Sequence, residues 1–230
     1  MMKFTFGIIT TDPKAANSVI DSIKNQNIDT DSYEVIVVGG ENKYDNVNHI
    51  EFDEGNKGGW ITKKKNIITE NAKYENVVYM HDYIHLRDGW YDGFVGFGND
   101  WDVAMNVVWN ANDLRFRDWV FWDHPEVCYS NGEHGCVLAP YSHTDTQYMY
   151  ISGAYWVAKK KFMQENPLDE NLYWGQSEDV EWSKKARKTW NYRMNIRSSV
   201  ISTKYKGHTA GAILLGANNQ QPYRPLLDLV

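Results

Sequence analysis

Phe4-Thr5-Phe6-Gly7-Ile8-Ile9-Thr10-Thr11-Asp12-Pro13 is a short apolar run that ends in hydroxyls, a carboxylate and a proline. Such a run predicts a buried strand. Asp12 then supplies a helix cap, and Pro13 fits the first helical position, where no backbone N–H is needed. Ala16, Val19, Ile20 and Ile23 follow on one helical face. Outward from there the alternation repeats. Tyr33 to Val38 is apolar and β-branched, is closed by Gly39 and Gly40, and reads as a buried parallel strand. His49 to Phe52 is a weaker strand, and Gly55, Gly58 and Gly59 make a turn before a Lys-rich helix from Trp60 to Ala72. Val77 to Met80 is the next strand, ending at His81-Asp82-Tyr83. This β-α-β-β-α-β order predicts an α/β fold with an open, largely parallel sheet and helices on its faces. Ligands of such sheets sit beyond the carboxyl ends of the strands. Thr10, Thr11, Gly39, Gly40, His81 and Asp82 should therefore converge on one crevice.

The second half is harder to read. Trp109 to Tyr148 shows no clear period, is rich in Trp, Asp, Asn, His and Gly, and is too long for an ordinary connection. Met149 to Ala158 predicts a strand pair around Gly153, and Lys159 to Gln164 a short helix. Ser177 should cap a further helix with Glu178, Asp179 and Glu181 in its first turn and Trp182, Ala186 and Trp190 as its buried stripe.

Composition narrows the function classes. A net charge of −6 argues against a nucleic-acid partner, while a few local cations would suffice for one bound nucleotide. The start of the chain reads as a strand rather than a signal peptide, and no stretch approaches the roughly 20 apolar residues of a membrane span. Cys128 and Cys136 are the only cysteines; their spacing permits a bridge, and two free thiols in a reducing compartment is the blander reading. A cytoplasmic globular protein is expected. The aromatic content of 14%, with ten Trp, suits either a packed core or a surface for flat sugar rings. P-loop, GxGxxG, GxSxG and HExxH motifs are missing from the sequence.

Asp82 places a carboxylate at the end of a buried strand, where it could cap the following turn or offer an oxygen to a hard cation. Its surroundings favour the second role. Tyr79 to Trp90, an apolar strand, a triplet, an apolar pair and a Gly-Trp helix start, resembles the DxD segment of family 2 GT-A glycosyltransferases. Here the triplet is His81-Asp82-Tyr83, so only Asp82 can ligate as a carboxylate. Tyr173-Trp174-Gly175-Gln176-Ser177-Glu178-Asp179-Val180-Glu181-Trp182 resembles, with one residue fewer between Gly175 and Glu178, the WGxxxED segment of the inverting β-1,4-galactosyltransferase group. A helix N-terminus favours the ionised form that a general base needs. Ile151 to Phe162, around Gly153, is similar to the small-residue strand and helix that precede that motif. Lys65-Asn66, after Gly58-Gly59, matches a basic-Asn pair near the nucleotide, whereas Lys63 and Lys64 read as solvated.

The resemblance implies a GT-A, Rossmann-like open mixed sheet with helices on both faces. It implies one domain over residues 1–230, with an irregular aromatic-rich insertion, a nucleotide-sugar half at 1–100 and an acceptor and catalytic half at 101–230. It implies transfer of a sugar, with inversion, from a UDP-, GDP- or dTDP-sugar to a glycan or other hydroxyl acceptor. Thr10, Thr11 and Glu41 would lie near the nucleobase, and Lys65, Asn66, His81, Asp82 and Gly153 around the rest of the donor. Mn2+ or Mg2+ would be held by Asp82 and by His208 of Lys204-Tyr205-Lys206-Gly207-His208. Asp179 would be the general base, supported by Glu178. The resemblance does not cover the aromatic middle; its mixture of Trp with Asp, Asn and Arg suits the acceptor side of the cleft or a packed lobe. Trp109 and Trp122 there, together with Trp174, are the candidate acceptor-facing rings. Two alternatives stand beside this: a carbohydrate-binding protein without turnover, and a sugar-nucleotide nucleotidyltransferase. The latter would need a Gly-rich, Arg-bearing loop after the first strand, which Thr10-Thr11-Asp12-Pro13 is not.

Overall fold

The computed structural model describes residues 1–40, 44–125 and 136–206. The first half runs β1 (Phe4–Ile9), α1 (Pro13–Lys24), β2 (Tyr33–Val38), β3 (Asn48–Ile50), α2 (Ile61–Asn71) and β4 (Asn76–His81), in the order the sequence predicts. β3, β2, β1 and β4 are neighbours and all parallel. Ile9 is level with Val38 on one side and His81 on the other. That register is what brings Thr10, Gly39 and Asp82 to one edge. The Asp12 carboxylate accepts from the Lys14 N–H at 2.9 Å, so the Asp-Pro start of α1 works as a cap.

Side chains alternate across a strand, and β1 uses both faces. Phe4 and Phe6 meet Trp90 at ring-centroid distances of 5.1 and 5.4 Å, placing α3 (Trp90–Phe97) on one face. Gly7 points to the other, where any Cβ would overlap the Ile68 side chain of α2. Glycine there lets the helix lie close against the sheet.

Beyond β4 the pairing changes direction, so the sheet is mixed, as the resemblance implied. β10 (Tyr155–Lys159) runs antiparallel between β4 and β6 (Val103–Trp109). β11 (Tyr192–Ser202) is parallel to β6, with a register shift between Asn195 and Ser199, and β5 (Ile84–Leu86) closes the far edge. Among the described residues the sheet has eight strands in the order β3-β2-β1-β4-β10-β6-β11-β5. Among the described residues no helix is long and apolar enough to cross a membrane.

The described part of the aperiodic segment carries regular structure. β7 (Val120–Phe121), β8 (Val137–Leu138) and β9 (Met149–Tyr150) form a three-stranded sheet. Its polar centre is Asp118, which is fully buried and takes the Arg115 Nε–H at 2.6 Å, the Tyr141 hydroxyl at 2.7 Å and the Trp119 N–H at 2.7 Å. Trp109, Trp119 and Phe121 are core residues. Cys136 is a buried free thiol that accepts the Tyr150 hydroxyl; Cys128 lies outside the described residues.

α4 (Lys160–Glu165) and α5 (Glu178–Ala186) complete the chain order. Ser177 does not cap α5 through its side chain. It sits at φ 56°, two residues after Gly175 at φ 86°, in a left-handed turn that delivers the chain to Glu178. Trp182 and Ala186 are buried as expected, and Trp190 is buried beyond the helix end.

Candidate active site

The parallel strands end at a crevice whose floor is polar. Asp82 is buried, and its Oδ2 accepts the Thr10 hydroxyl at 2.7 Å. That hydroxyl in turn accepts the Asp12 N–H at 2.8 Å. Lys64, expected in solvent, is buried instead and donates to the Thr10 carbonyl at 2.9 Å while pairing with Glu54. Lys63 pairs with Glu170 at 3.1 Å.

α2 faces the second half of the chain with a row of donors. Trp60 Nε1 donates to the Glu170 carbonyl at 2.7 Å and the Thr62 hydroxyl to the Leu172 carbonyl at 2.7 Å. Asn66 gives its amide N–H to the Leu168 carbonyl at 2.9 Å and accepts the Leu168 N–H at 3.1 Å. Asn66 thus holds the loop before α5 rather than facing the crevice. Lys65 is fully buried, donates to the Gly153 carbonyl at 2.7 Å, and lies 4.6 Å from the Trp156 ring centroid.

Next to Lys65 the carboxylate pair of α5 closes on Gly153. The Gly153 N–H donates to Asp179 Oδ2 at 2.8 Å, and the Val180 N–H to Oδ1 at 2.9 Å, fixing that carboxylate at both oxygens. A Cβ on Gly153 would come within 2.8 Å of Glu178 Oε1 and 3.0 Å of Asp179 Oδ2. Gly153 is therefore small because two carboxylates pass over it. Burial pushes the Glu178 carboxyl above its usual range; Lys65 pulls it back and Asp179 adds to the rise. Burial lowers the Lys65 ammonium, against the pull of the same two carboxylates. Burial, reinforced by Lys65 and Lys206, holds the His81 imidazole well below its ordinary value, so the ring is neutral near pH 7.

A cleft of about 280 Å³ opens over these groups. His81, Gly153, Glu178 and Asp179 line it, with Trp122 and Trp174 among its walls. The fold thus brings together Thr10 and Asp82 at the strand ends and His81, Gly153, Trp122, Trp174, Glu178 and Asp179 at the cleft. Trp109 is buried in β6 with the Arg87 guanidinium 5.8 Å from its ring centroid, and is not among the cleft-lining residues. Thr11 is solvent-exposed, and Glu41 and His208 lie outside the described residues. Tyr83, Arg117 and Lys206 also line the cleft and were missed as site residues. Their signal was weak: Lys206 stood in a segment singled out for its histidine, and Arg117 in the aperiodic stretch.

For the divalent cation expected at Asp82 and His208, the described residues include Asp82 alone. Asp82 is the single carboxylate of its triplet, and its Oδ1 faces the Lys204 ammonium at 3.9 Å. Among the described residues no group of three His, Cys, Asp or Glu side chains comes together to hold a metal. Hard divalent cations ask for several oxygen ligands, and the ammonium of Lys204 already stands beside the one carboxylate of this triplet.

No protein-family model matches the chain, and no curated protein matches it by sequence. Solved structures do. The crystal structure of S. aureus TarS 1–349 matches with a TM-score of 0.60 over 88% of this chain and 60% of that one, at 17% identity. TarS 1–349 in complex with UDP-GlcNAc matches at 0.58 over 92% and 62%, also at 17% identity. GalNAc-T7 with UDP, GalNAc and Mn2+ matches at 0.59 over 91% of this chain and 46% of that one, at 11% identity. This chain thus spans less than two thirds of each. What is shared at these identities is the fold, the open mixed sheet with helices of GT-A glycosyltransferases.

Proposed function

We propose that this chain transfers a sugar from a nucleotide-diphosphate sugar to an acceptor hydroxyl, with inversion at the anomeric carbon. The observation that carries the reading is the carboxylate pair Glu178 and Asp179, packed over Gly153 and facing a cleft at the end of a GT-A sheet. TarS has been seen with UDP and with UDP-GlcNAc, and GalNAc-T7 with UDP and GalNAc, which favours a UDP-sugar as donor.

Asp179 is the general base in this reading. Its two oxygens are held by backbone N–H groups, so its orientation does not depend on a mobile partner. Glu178, pushed towards its protonated form by burial, holds the acceptor or the Asp179 carboxylate by hydrogen bonding. Trp174, 66% exposed at the rim, and Trp122 offer apolar faces to the acceptor's sugar rings. Thr10 and Asp82 belong to the donor side. Mn2+ or Mg2+ on Asp82 and His208 remains the expectation drawn from the resemblance; His208 lies outside the described residues, and no step here runs through a metal.

The test is release of nucleoside diphosphate from UDP-, GDP- and dTDP-sugars, with and without a panel of glycan acceptors. Asp179→Asn is expected to keep donor affinity and lose on the order of 10²–10⁴-fold in turnover. Transfer by Asp179→Asn at the wild-type rate refutes the assignment. Sugar binding without any donor consumption would favour the binding-protein alternative.

A further inference from the structure

We propose that Lys204 and Lys206 form a cationic cradle for the donor's diphosphate, supplying the charge that a divalent metal would otherwise bring; this rests on the transferase reading above. The chain leaving β11 is pinned beside the DxD-like triplet. The Thr203 N–H and hydroxyl both donate to the Tyr83 carbonyl, at 2.8 and 3.2 Å. The Ser202 hydroxyl donates to the Lys204 carbonyl at 2.7 Å, and the Lys206 N–H to Asn110 Oδ1 at 3.2 Å. Held this way, the two ammonium groups lie 5.1 and 4.1 Å from the centroid of the Tyr83 ring. Tyr83 and Lys206 both line the cleft, and Lys204 pairs with Asp82 at 3.9 Å.

The charge count explains the arrangement. Two lysine ammonium groups offer a diphosphate positive charge of the kind a divalent cation brings, and Lys204 stands beside the one carboxylate of the triplet. Asp82 then orients Lys204 instead of ligating an ion. In the transfer step the acceptor oxygen bonds to the anomeric carbon and its proton passes to Asp179. The bond from that carbon to the diphosphate breaks, and its electron pair leaves on the diphosphate oxygen. The new negative charge meets Lys204 and Lys206, whose charge-assisted hydrogen bonds are preorganised by the pinned segment.

The experiment is calorimetric titration of the full chain with UDP, GDP, dTDP and uridine, in EDTA and again in Mn2+. The diphosphate that binds is expected to bind within twofold equally in both buffers. The double variant Lys204→Gln/Lys206→Gln should lose at least about tenfold for it, with uridine affinity and melting temperature unchanged. Binding abolished by EDTA and restored by Mn2+, or a double variant that binds the diphosphate as the wild type does, overturns the cradle and leaves the transferase reading standing. Failure of all three diphosphates in both buffers overturns both.

Discussion

Replacing Gly153 by alanine separates the carboxylate geometry from everything else in the cleft. The new methyl would stand 2.8 Å from Glu178 Oε1 and 3.0 Å from Asp179 Oδ2. Ordinary van der Waals contact begins at about 3.5 Å, so the two oxygens must retreat by roughly 0.7 and 0.5 Å. Neither retreats freely. Glu178 is buried, and Asp179 is tied to the N–H groups of Gly153 and Val180. Overpacking of this kind costs about 1–3 kcal/mol in stability. A general base displaced by about 1 Å costs on the order of 10²-fold, so half that shift should lower kcat by about tenfold. Donor KM should stay unchanged, because Thr10 and Asp82 are untouched. Initial rates against donor concentration, with a melting curve of the same preparation, measure both effects. An alanine variant with wild-type kcat and wild-type Tm would refute the claim that the pair is held at contact over Gly153.

Three further outcomes are expected. The Glu178 carboxyl binds its proton more tightly in the folded state than in the unfolded one, so it costs stability as pH rises above its ordinary value of 4.5. The melting temperature of Glu178→Gln relative to wild type should therefore climb between about pH 4 and pH 7; a pH-independent difference contradicts the burial account. Trp174→Ala should leave Tm unchanged, since the ring is 66% exposed, and raise acceptor KM about fivefold if one stacking contact worth about 1 kcal/mol is lost; an unchanged KM removes Trp174 from the acceptor side. Asp118→Ala leaves the buried Arg115 guanidinium without its carboxylate and should cost about 3–5 kcal/mol by urea denaturation; a loss below 1 kcal/mol would show that the hub is not what orders the aperiodic segment.

The first half was legible because its signals are local. Apolar β-branched runs mark β1 and β2, and Asp12-Pro13 marks the start of α1. β11 carried no such pattern. Its register shift near Asn195 breaks the alternation, and its buried positions include Asn195 and Ser198, which satisfy each other at 2.9 Å while Ser198 donates to the Trp90 carbonyl. The aperiodic stretch failed for the same reason, since Asp118 gathers partners up to 23 residues away and no local period reports that. Within the candidate site, the resemblance pointed to Glu178, Asp179 and Gly153, and the fold brings these three together at the cleft. The roles of Lys64 and Asn66 were not, because a polar side chain on a helix looks solvated until its distant partners are placed.

The donor row on α2 has a consequence for how the molecule comes into being. Its bonds join residues 102 to 110 positions apart, and the Lys65–Gly153 link spans 88. Closing loops of that length is entropically slow compared with forming a helix or pairing β1 with β2. β1 and β2 can therefore pair while Glu178 and Asp179 still lack their seat, and in the transferase reading competence for chemistry waits on the long-range closures. On refolding from denaturant, ellipticity should return before turnover does.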